Sequence, residues 1–344
     1  MIPEDKLREI QSYLDRAENP LFFFDDDADG TCSYILFKKY CQKGRGIILK
    51  SLPILDLNFY DKVDSYSPDY IFVLDIAEVK QEFIDKCNVP IIWIDHHTVQ
   101  NRKGIHYYNP LMWKKADGTS TTACCYQVTK KDLWIATLGA ISDWAIPEYA
   151  KEFSKKYPEL LPNNIKEPSK AIFETKLGFI VKLLLFNLKG KTSDAMKSIE
   201  MFTKINDPYE ILNKTTKEGM HIYDSGEKYI KEYNKILEKA SSLHDKNEEL
   251  LLFVYPDRKI SYTSELSNEL LYRFPDKVII VGREKGDEIK ISFRSAKYNI
   301  LEKVLEASKN LNGRFGGHEH ACGGSIKSRD FDNFIKNIKS NLKQ

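Results

Sequence analysis

Residues 21–30, LFFFDDDADG, join an apolar run directly to a dense group of carboxylates. The first four residues are typical of a strand that is buried on both faces, as strands of a parallel sheet are. The acids follow where such a strand ends, and Gly30 and Thr31 then open a segment with helical character. A buried strand that passes through an acidic turn into a helix is the beginning of a parallel α/β fold.

The same pattern recurs along the first part of the chain. Predicted strands lie at 21–24, 47–49, 70–74 and 91–94. Predicted helices lie at 3–17, 31–42, 79–87, 121–129 and 131–141. Because strands alternate with helices, we predict a doubly wound, mostly parallel α/β sheet in a domain at 1–150.

The rest of the chain changes character twice. Residues 151–245 are rich in Lys and Glu at helical spacing, which predicts a helical insert that ends in a connecting helix near 226–243. Strand-like runs then return, and a glycine-rich stretch and a basic helix follow them. We expect residues 246–344 to form a second, smaller α/β domain.

Composition and charge limit the classes of protein to which the chain can belong. The net charge of +2 over 344 residues means that any nucleic-acid surface must be local. The six cysteines form no C-x-x-C pair, so we expect no disulfide framework and no zinc site, and a reducing, cytoplasmic setting. No apolar run matches the roughly 18 residues of a membrane span, and the first residues do not resemble a signal peptide.

Four groups of acids occupy the positions where ligands bind an open parallel sheet, beyond its strands. In the first group, an extended segment would turn Asp25, Asp27 and Asp29 to one side. Three carboxylates so placed repel one another unless cations lie among them. The alternative is a set of acids that only caps the following helix. Four acids in five positions favour a metal site over such a cap.

The other three groups also consist of residues that can bind metal ions. Asp75 and Asp95-His96-His97 each follow a predicted strand, and Asp143 ends an apolar helical run. Each alone has a simpler explanation, as a cap or a surface turn. Carboxylate with imidazole suits Mn²⁺ or Zn²⁺, and two adjacent histidines face different ways, so we expect one to bind metal and the other to face substrate. Together the four groups predict paired cations that activate water and stabilise a phosphoester transition state.

The order of these motifs resembles that of the DHH phosphoesterases. The family has D-x-D-x-D-G, a lone strand-end Asp, D-H-H and a later Asp, as this chain has. The stretch GGHEHACG at 316–323 is similar to the GGH motif of the domain that accompanies the family, and SFRS at 292–295 resembles its substrate-binding strand. The motifs span nearly the whole chain.

The resemblance implies a role for each position. The ligands of two Mn²⁺ ions, with Mg²⁺ as a substitute and Asp75 as the bridge, would be Asp25, Asp27, Asp29, Asp75, His96 and Asp143. Asp95 would orient a neighbouring histidine, and His97 would contact the scissile phosphate and help to stabilise the leaving group. The substrate-binding residues of the second domain would be Arg294, Ser295, Gly316, Gly317 and His318.

One position favours a branch of the family. Many small-molecule members carry a histidine where this chain has Phe23, and Asp25 fills the gap as it does in RecJ-like enzymes. The size of the chain and its lysine-rich insert are closer to archaeal RecJ-like proteins. The resemblance therefore implies an exonuclease on single-stranded DNA or RNA, with a replication or repair protein as a candidate partner.

Two alternatives stay open. One is a small-substrate enzyme that acts on very short oligonucleotides, a cyclic dinucleotide or adenosine bisphosphate. The other is a non-catalytic replication or repair partner that keeps a metal site for stability.

Aromatic residues and lysine pairs near the motifs have two interpretations. Tyr107, Tyr108 and Trp113 could stack on bases or pack against the fold. Lysine pairs at 38–39, 114–115 and 130–131 could line a groove for a nucleic-acid strand or be solvated. Trp93, Trp134 and Trp144, which flank the motifs, are predicted to lie in the core.

Overall fold

The computed structural model describes residues 1–50 and 53–342. The chain forms two compact units, Met1–Glu227 and Lys228–Gln344, and the division falls inside one long helix. The three-part division with boundaries at 150 and 245 stays a prediction.

The first unit contains strands and helices in alternation, followed by helices alone. Its strands are β1 (Leu21–Asp25), β2 (Arg45–Leu49), β3 (Ile54–Leu55), β4 (Ile71–Leu74), β5 (Glu78–Val79), β6 (Ile91–Ile94) and β7 (His106–Tyr108). Its helices are α1 (Glu4–Arg16), α2 (Ala28–Cys41), α3 (Tyr60–Tyr66), α4 (Gln81–Lys86), α5 (Thr121–Thr129), α6 (Leu133–Ser142), α7 (Ala150–Lys156), α8 (Pro168–Glu174), α9 (Lys176–Leu188), α10 (Thr192–Phe202), α11 (Tyr209–Leu212) and the start of α12 (Lys217–Ser241).

The main sheet of this unit is parallel, with strand order β2-β1-β4-β6-β7. Strands β3 and β5 form a separate parallel pair. In the main sheet Phe24, Leu74 and Ile94 are register partners across β1, β4 and β6. The residue after each of them is an aspartate, so three acids end adjacent strands at one edge of the sheet. The prediction of a doubly wound, mostly parallel α/β domain is confirmed.

Both faces of the sheet are buried, which explains the continuous apolar runs. On one face Phe23 packs with Trp93 in a core that includes α4. On the other face Phe24 stacks on Tyr34 of α2, with ring centroids 4.5 Å apart. A fully buried side chain of this size contributes about 1.5–3 kcal/mol. The strands are therefore rigid supports for the polar residues at their ends.

The second unit has strands β8 (Leu250–Tyr255), β9 (Val278–Lys285), β10 (Glu288–Arg294), β11 (Gly313–His318) and β12 (Ala321–Lys327). Its helices, after the end of α12, are α13 (Thr263–Arg273), α14 (Ile300–Ala307) and α15 (Phe331–Leu342). The sheet order is β11-β12-β10-β9-β8, with β8 parallel to β9 and the other pairs antiparallel. The predicted second, smaller α/β domain is confirmed, with a mixed sheet.

The glycine-rich stretch is the main surprise of the second unit. It forms the hairpin of β11 and β12, although the sequence pattern predicted no strand there. Glycine weakens isolated strands and hides their alternation of side chains. Here Phe315 of β11 packs against Phe334 of α15, with centroids 4.9 Å apart, and this tertiary contact supports the hairpin.

Across the ranges that the structure describes, no helix is both long enough and apolar enough to traverse a bilayer.

Candidate metal centre

All six predicted metal ligands converge at the carboxyl edge of the first unit's sheet. Three sets of side chains place one ligand atom each within 4.8 Å of the others. The sets are Asp25–Asp27–Asp75, Asp29–His96–Asp143 and Asp75–His96–His97. Asp75 and His96 each belong to two sets, so the three sets form one continuous cluster, which we call the metal centre.

The first acids are held by the start of α2. Asp25 is the last residue of β1, and Asp27 caps the helix by accepting a hydrogen bond from the Gly30 N–H at 2.8 Å. A Cβ atom on Gly30 would lie only 2.8 Å from the backbone nitrogen of Asp25, so only glycine permits this close turn. Our expectation of an extended segment from Asp25 to Asp29 is wrong, because α2 begins at Ala28.

Asp29 fastens a second helix to the centre. Its two carboxylate oxygens accept hydrogen bonds from the N–H groups of Thr121 and Thr122, at 2.9 and 2.8 Å, at the start of α5. The Thr121 hydroxyl donates to Asp75 at 2.9 Å. Asp29 is buried, and the positive end of the helix dipole favours its charge. It still lies 3.9 Å from the Nε2 atom of His96.

Asp75 has the most unusual backbone in the centre. It is buried and has a φ of 60°, in the left-handed region that few residues other than glycine adopt. Its N–H group donates to the carbonyl of Ile94 at 3.0 Å, which locks the turn to the end of β6. Backbone strain of about 1–3 kcal/mol is found mainly at functional positions. Here the left-handed backbone places the Asp75 carboxylate within reach of two sets of candidate ligands.

The two adjacent histidines face different ways. The His96 ring lies among carboxylates, with Nε2 3.4 Å from Asp75 and Nδ1 3.6 Å from Asp143. The His97 ring is inclined to it by 63°, and its Nδ1 lies 2.6 Å from Asp95 Oδ1. Asp95 is fully buried and also accepts the His97 N–H at 3.0 Å. Asp95 therefore holds the His97 ring in a fixed orientation.

Sequence reasoning missed the residues that hold Asp95. Asn109 donates to Asp95 at 3.3 Å and to the His97 carbonyl at 2.8 Å, and the Tyr107 hydroxyl donates to Asp95 at 3.4 Å. Asn109 directly follows β7, the short strand beside β6. A polar residue at the end of a strand was the available signal, but β7 itself was not predicted.

Electrostatics distinguish this cluster from an ordinary acidic surface. Burial and then the charge of Asp27 raise the pKa of Asp25 to about 8. Burial and then the charge of Asp29 raise the pKa of Asp27 to about 6 and that of Asp143 to about 8. Burial raises the pKa of Asp75 well above its usual range. These carboxyl groups repel one another and need protons or cations to offset their charge.

No lysine or arginine in the described part of the chain forms an ion pair with these carboxylates; their basic neighbours are His96 and His97. The donors are carboxylate oxygens and imidazole nitrogen, the set that borderline cations such as Mn²⁺ prefer. Buried acids with mixed oxygen and nitrogen donors and no cationic side chain fit a divalent metal centre.

Aromatic residues near the centre divide into packing and exposed positions. Tyr107 stacks on Trp93 with centroids 4.0 Å apart, and Tyr108 is buried, so both pack. Trp113 is exposed. The prediction that Trp144 lies in the core is wrong, because the side chain is 45% exposed, although Trp93 is buried as predicted.

In the second unit Arg294 ends β10 and is held by neutral groups. Its guanidinium donates to Asn268 at 2.6 Å and to Ser264 at 3.3 Å, both on α13, and to the Phe293 carbonyl at 2.8 Å. Burial lowers the pKa of Arg294. Among the residues described it forms no ion pair with a carboxylate, so its positive charge is oriented without being neutralised.

The GGH residues occupy the hairpin. His318 is exposed at the end of β11, and Gly316 has open space on its side-chain face. Gly317 has a φ of 135°, and a Cβ there would lie 2.8 Å from the Ala321 carbonyl oxygen. Ser295 is instead buried in a turn, where its hydroxyl accepts the N–H groups of two following residues. The structure thus places Arg294, Gly316 and His318 on the surface of the sheet and Ser295 beneath it.

Two family models match the chain: DHH family, N-terminal domain, over residues 21–172, and the DHHA1 domain over residues 258–344. The chain belongs to the DHH family. Members of this family are metal-dependent hydrolases.

Solved structures share this fold at low sequence identity. RecJ from Thermus thermophilus in complex with Mn²⁺ matches with a TM-score of 0.71 and 13% identity, over 100% of this chain and 55% of that one. The exonuclease RecJ bound to manganese matches with a TM-score of 0.69 and 14% identity, over 100% and 95%. The pGpG-specific phosphodiesterase PggH from Vibrio cholerae has a TM-score of 0.51 and 16% identity, over 95% and 99%.

The DHH chain thus spans 55% of the Thermus thermophilus RecJ. No curated protein matches its sequence significantly. The predicted membership of the DHH family and the resemblance to RecJ are confirmed at the level of family and fold.

Proposed function

We propose that this DHH protein is a Mn²⁺-dependent phosphodiesterase that hydrolyses the backbone of single-stranded DNA or RNA, as a RecJ-like exonuclease. One observation carries the proposal. Five buried or half-buried carboxylates and His96 meet at the carboxyl edge of a parallel sheet, with ligand atoms within 4.8 Å in each set. This is the position at which open α/β sheets bind their ligands.

The centre has enough donors for two cations. Asp25 and Asp27 would hold one ion, His96, Asp29 and Asp143 the other, and Asp75 would bridge them, since it belongs to sets on both sides. Mg²⁺ would serve as a substitute. When bound, two such ions activate water and stabilise the charge of the transition state.

His97 would act on the phosphate. The hydrogen bond to Asp95 raises the pKa of His97, so this imidazole keeps a proton more readily near neutral pH. Nδ1 is occupied by Asp95, which leaves Nε2 to donate to a phosphate oxygen or to the leaving group. Asp95 would be a positioning residue, and Asn109 would hold it in turn.

The second unit would bind substrate through Arg294 and His318. The guanidinium of Arg294 is fixed by Asn268 and Ser264 while its charge stays available, which suits a phosphate. Gly316 leaves the backbone of β11 open to close approach by a phosphate oxygen.

A second candidate is a phosphodiesterase for very short substrates such as pGpG. It is favoured by the match to PggH, which covers 95% of this chain and 99% of that protein. Asp25 favours the longer substrate, since it occupies the position that RecJ-like members of the family use.

The test is hydrolysis of an end-labelled single strand of about 30 nucleotides, longer than a typical single-strand site. DNA and RNA strands are incubated with Mn²⁺ or EDTA, and pGpG is assayed in parallel. The proposal expects Mn²⁺-dependent shortening by wild type and by Asp64→Asn, an exposed carboxylate on α3, and none by Asp75→Asn. Turnover of pGpG with an intact long strand would favour the second candidate. If neither substrate is hydrolysed, both enzymatic proposals are contradicted and the protein is non-catalytic.

A further inference from the structure

One face of the second unit's sheet carries, besides the motif residues Arg294 and His318, positive charges that the family motifs do not include. The opposite face packs against α14 and α15 through Phe293 and Ile291. Side chains alternate along a strand, so Arg294 of β10 points to the other face, where α13 holds it. We call this second face, over β10, β12 and β11, the open face.

The strand register fixes which residues share the open face. Residues directly opposite one another in an antiparallel pair have side chains on the same side. Arg294 pairs with Ala321, and Ala321 pairs with His318, so these three form one row. Four residues further along, Lys290 pairs with Ser325, and Ser325 pairs with Arg314, in a parallel row. Positive side chains therefore stand at both ends of the open face.

The row between them is almost free of side chains. Ser292 pairs with Gly323, which pairs with Gly316. No atom lies within 4 Å of where a Cβ on Gly316 would be. The backbone of β11 and β12 is therefore accessible from one charged row to the other.

The second charged row borders a groove of about 700 Å³. Its walls include Arg314, Lys290, Ser325, Lys327 and Glu288. Glu288 pairs with Lys290 at 2.9 Å and with Lys327 at 3.3 Å, and Lys327 also pairs with Asp287 at 2.8 Å. Two lysines thus share two acids, whereas Arg314 is exposed and forms no ion pair within the described residues. The two acids offset the charges of the two lysines, so the charge of Arg314 is the one that stays unpaired in the groove.

We propose that this groove is a second phosphate-binding subsite, which takes the backbone of a single strand that also contacts Arg294 and His318. The proposal rests on the proposed function and deepens it by adding a second binding position that favours longer strands. Arg314 and His318 are four residues apart on one strand, a separation of about 13 Å. The two phosphates of a dinucleotide such as pGpG are only one nucleotide apart and do not span this separation, whereas the phosphates of a longer strand do.

Arg314 suits this task better than the lysines do. A guanidinium binds phosphate through two parallel hydrogen bonds, and an unpaired one has no carboxylate to displace first. The lysines add positive charge to the groove, but their ion pairs with Glu288 offset part of it. Arg314 therefore carries the larger share of the affinity.

The test measures affinity as a function of strand length in the full chain. Fluorescein-labelled strands of two and about 12 nucleotides, within the range of known single-strand sites, are titrated by fluorescence anisotropy in EDTA at several salt concentrations. The variants are Arg314→Gln and Arg314→Gln/Lys290→Gln. The matched control is Arg329→Gln, an exposed arginine that lies 4.0 Å from Asp330 and outside the groove.

Wild type and the control are expected to bind the longer strand more tightly than the dinucleotide. The double variant loses most of that gain, and its salt slope falls by about 0.7 for each phosphate contact removed. Equal affinity of wild type and double variant for the longer strand would overturn the proposal, as would equal losses for both lengths. Binding is measured in EDTA and does not depend on catalysis. A protein that binds the longer strand through Arg314 but hydrolyses nothing would therefore refute the proposed function and still support the binding subsite.

Discussion

The metal centre and the open face differ in charge, burial and origin. The metal centre is acidic and largely buried, and its candidate ligands come from four separate stretches of the first unit, between Asp25 and Asp143. The open face is basic and is exposed along β11, and its residues are brought together by the register of three adjacent strands. Ends of parallel strands concentrate side chains at a point, whereas a flat antiparallel face spaces them in rows. The first geometry suits ions and the second suits an extended polyanion.

This comparison predicts that single changes in the metal centre have the largest effects. Asp75→Asn removes the carboxylate shared by two ligand sets, at nearly constant volume. We expect kcat for Mn²⁺-dependent hydrolysis to fall by about 1000-fold, or about 4 kcal/mol. Steady-state assays on a labelled single strand measure the change. A variant within tenfold of wild type would contradict the bridging role.

A smaller loss is expected from the residue that orients His97. Asp95→Asn keeps the shape of the side chain and loses its charge, and we expect kcat to fall by about 10–100-fold. The rise in melting temperature that Mn²⁺ causes should persist in Asp95→Asn and be smaller in Asp75→Asn. Loss of the Mn²⁺ effect in both variants would show that Asp95 supports the metal rather than the histidine.

Two neighbouring glycines of β11, Gly316 and Gly317, allow effects on stability and on binding to be measured separately. Gly317→Ala should destabilise the protein by about 1–3 kcal/mol, because φ is 135° and the added methyl would meet the backbone at 2.8 Å. Gly316→Ala has open space, so we expect a stability close to wild type and weaker binding of a single strand. Urea unfolding and anisotropy titrations measure the two effects. Equal destabilisation by both changes would remove the distinction.

The smallest effect concerns Trp144, which follows the end of α6. Its φ of 58° and the hydrogen bond from Ala145 N–H to the Ala140 carbonyl form a helix end that favours glycine. We expect Trp144→Gly to change the free energy of unfolding by less than about 1 kcal/mol, since the lost ring contact with Phe173 offsets relief of strain. A core tryptophan such as Trp93 would cost about 3–5 kcal/mol on truncation to alanine. A loss of that size at Trp144 would mean that the exposed ring is structural.

Most of the fold and most residues of the metal centre could be predicted from the sequence. Apolar runs ended by acids identified the central strands, because parallel strands are buried on both faces and only their ends can be polar. The same pattern identified Asp75, His96 and Asp143. These elements follow from local patterns, which the tertiary structure did not change.

The remaining features depend on individual caps and packing contacts. The start of α2 depends on the cap by Asp27, and the role of Asn109 depends on β7, a strand of three residues. The hairpin of the second unit consists largely of glycine and relies on Phe315 packing against α15. Ser295 resembles a family motif, yet its hydroxyl caps a turn. None of these contacts has a periodic signal in the sequence.

The central claim is that the acids at the sheet edge hold two divalent cations. Equilibrium dialysis of the purified protein against Mn²⁺, with metal and protein quantified on each side, tests it most directly. The account predicts two Mn²⁺ ions per wild-type chain and per Asp64→Asn chain, and the loss of at least one in Asp75→Asn. Absence of bound Mn²⁺ in wild type, or an unchanged stoichiometry in Asp75→Asn, would contradict it.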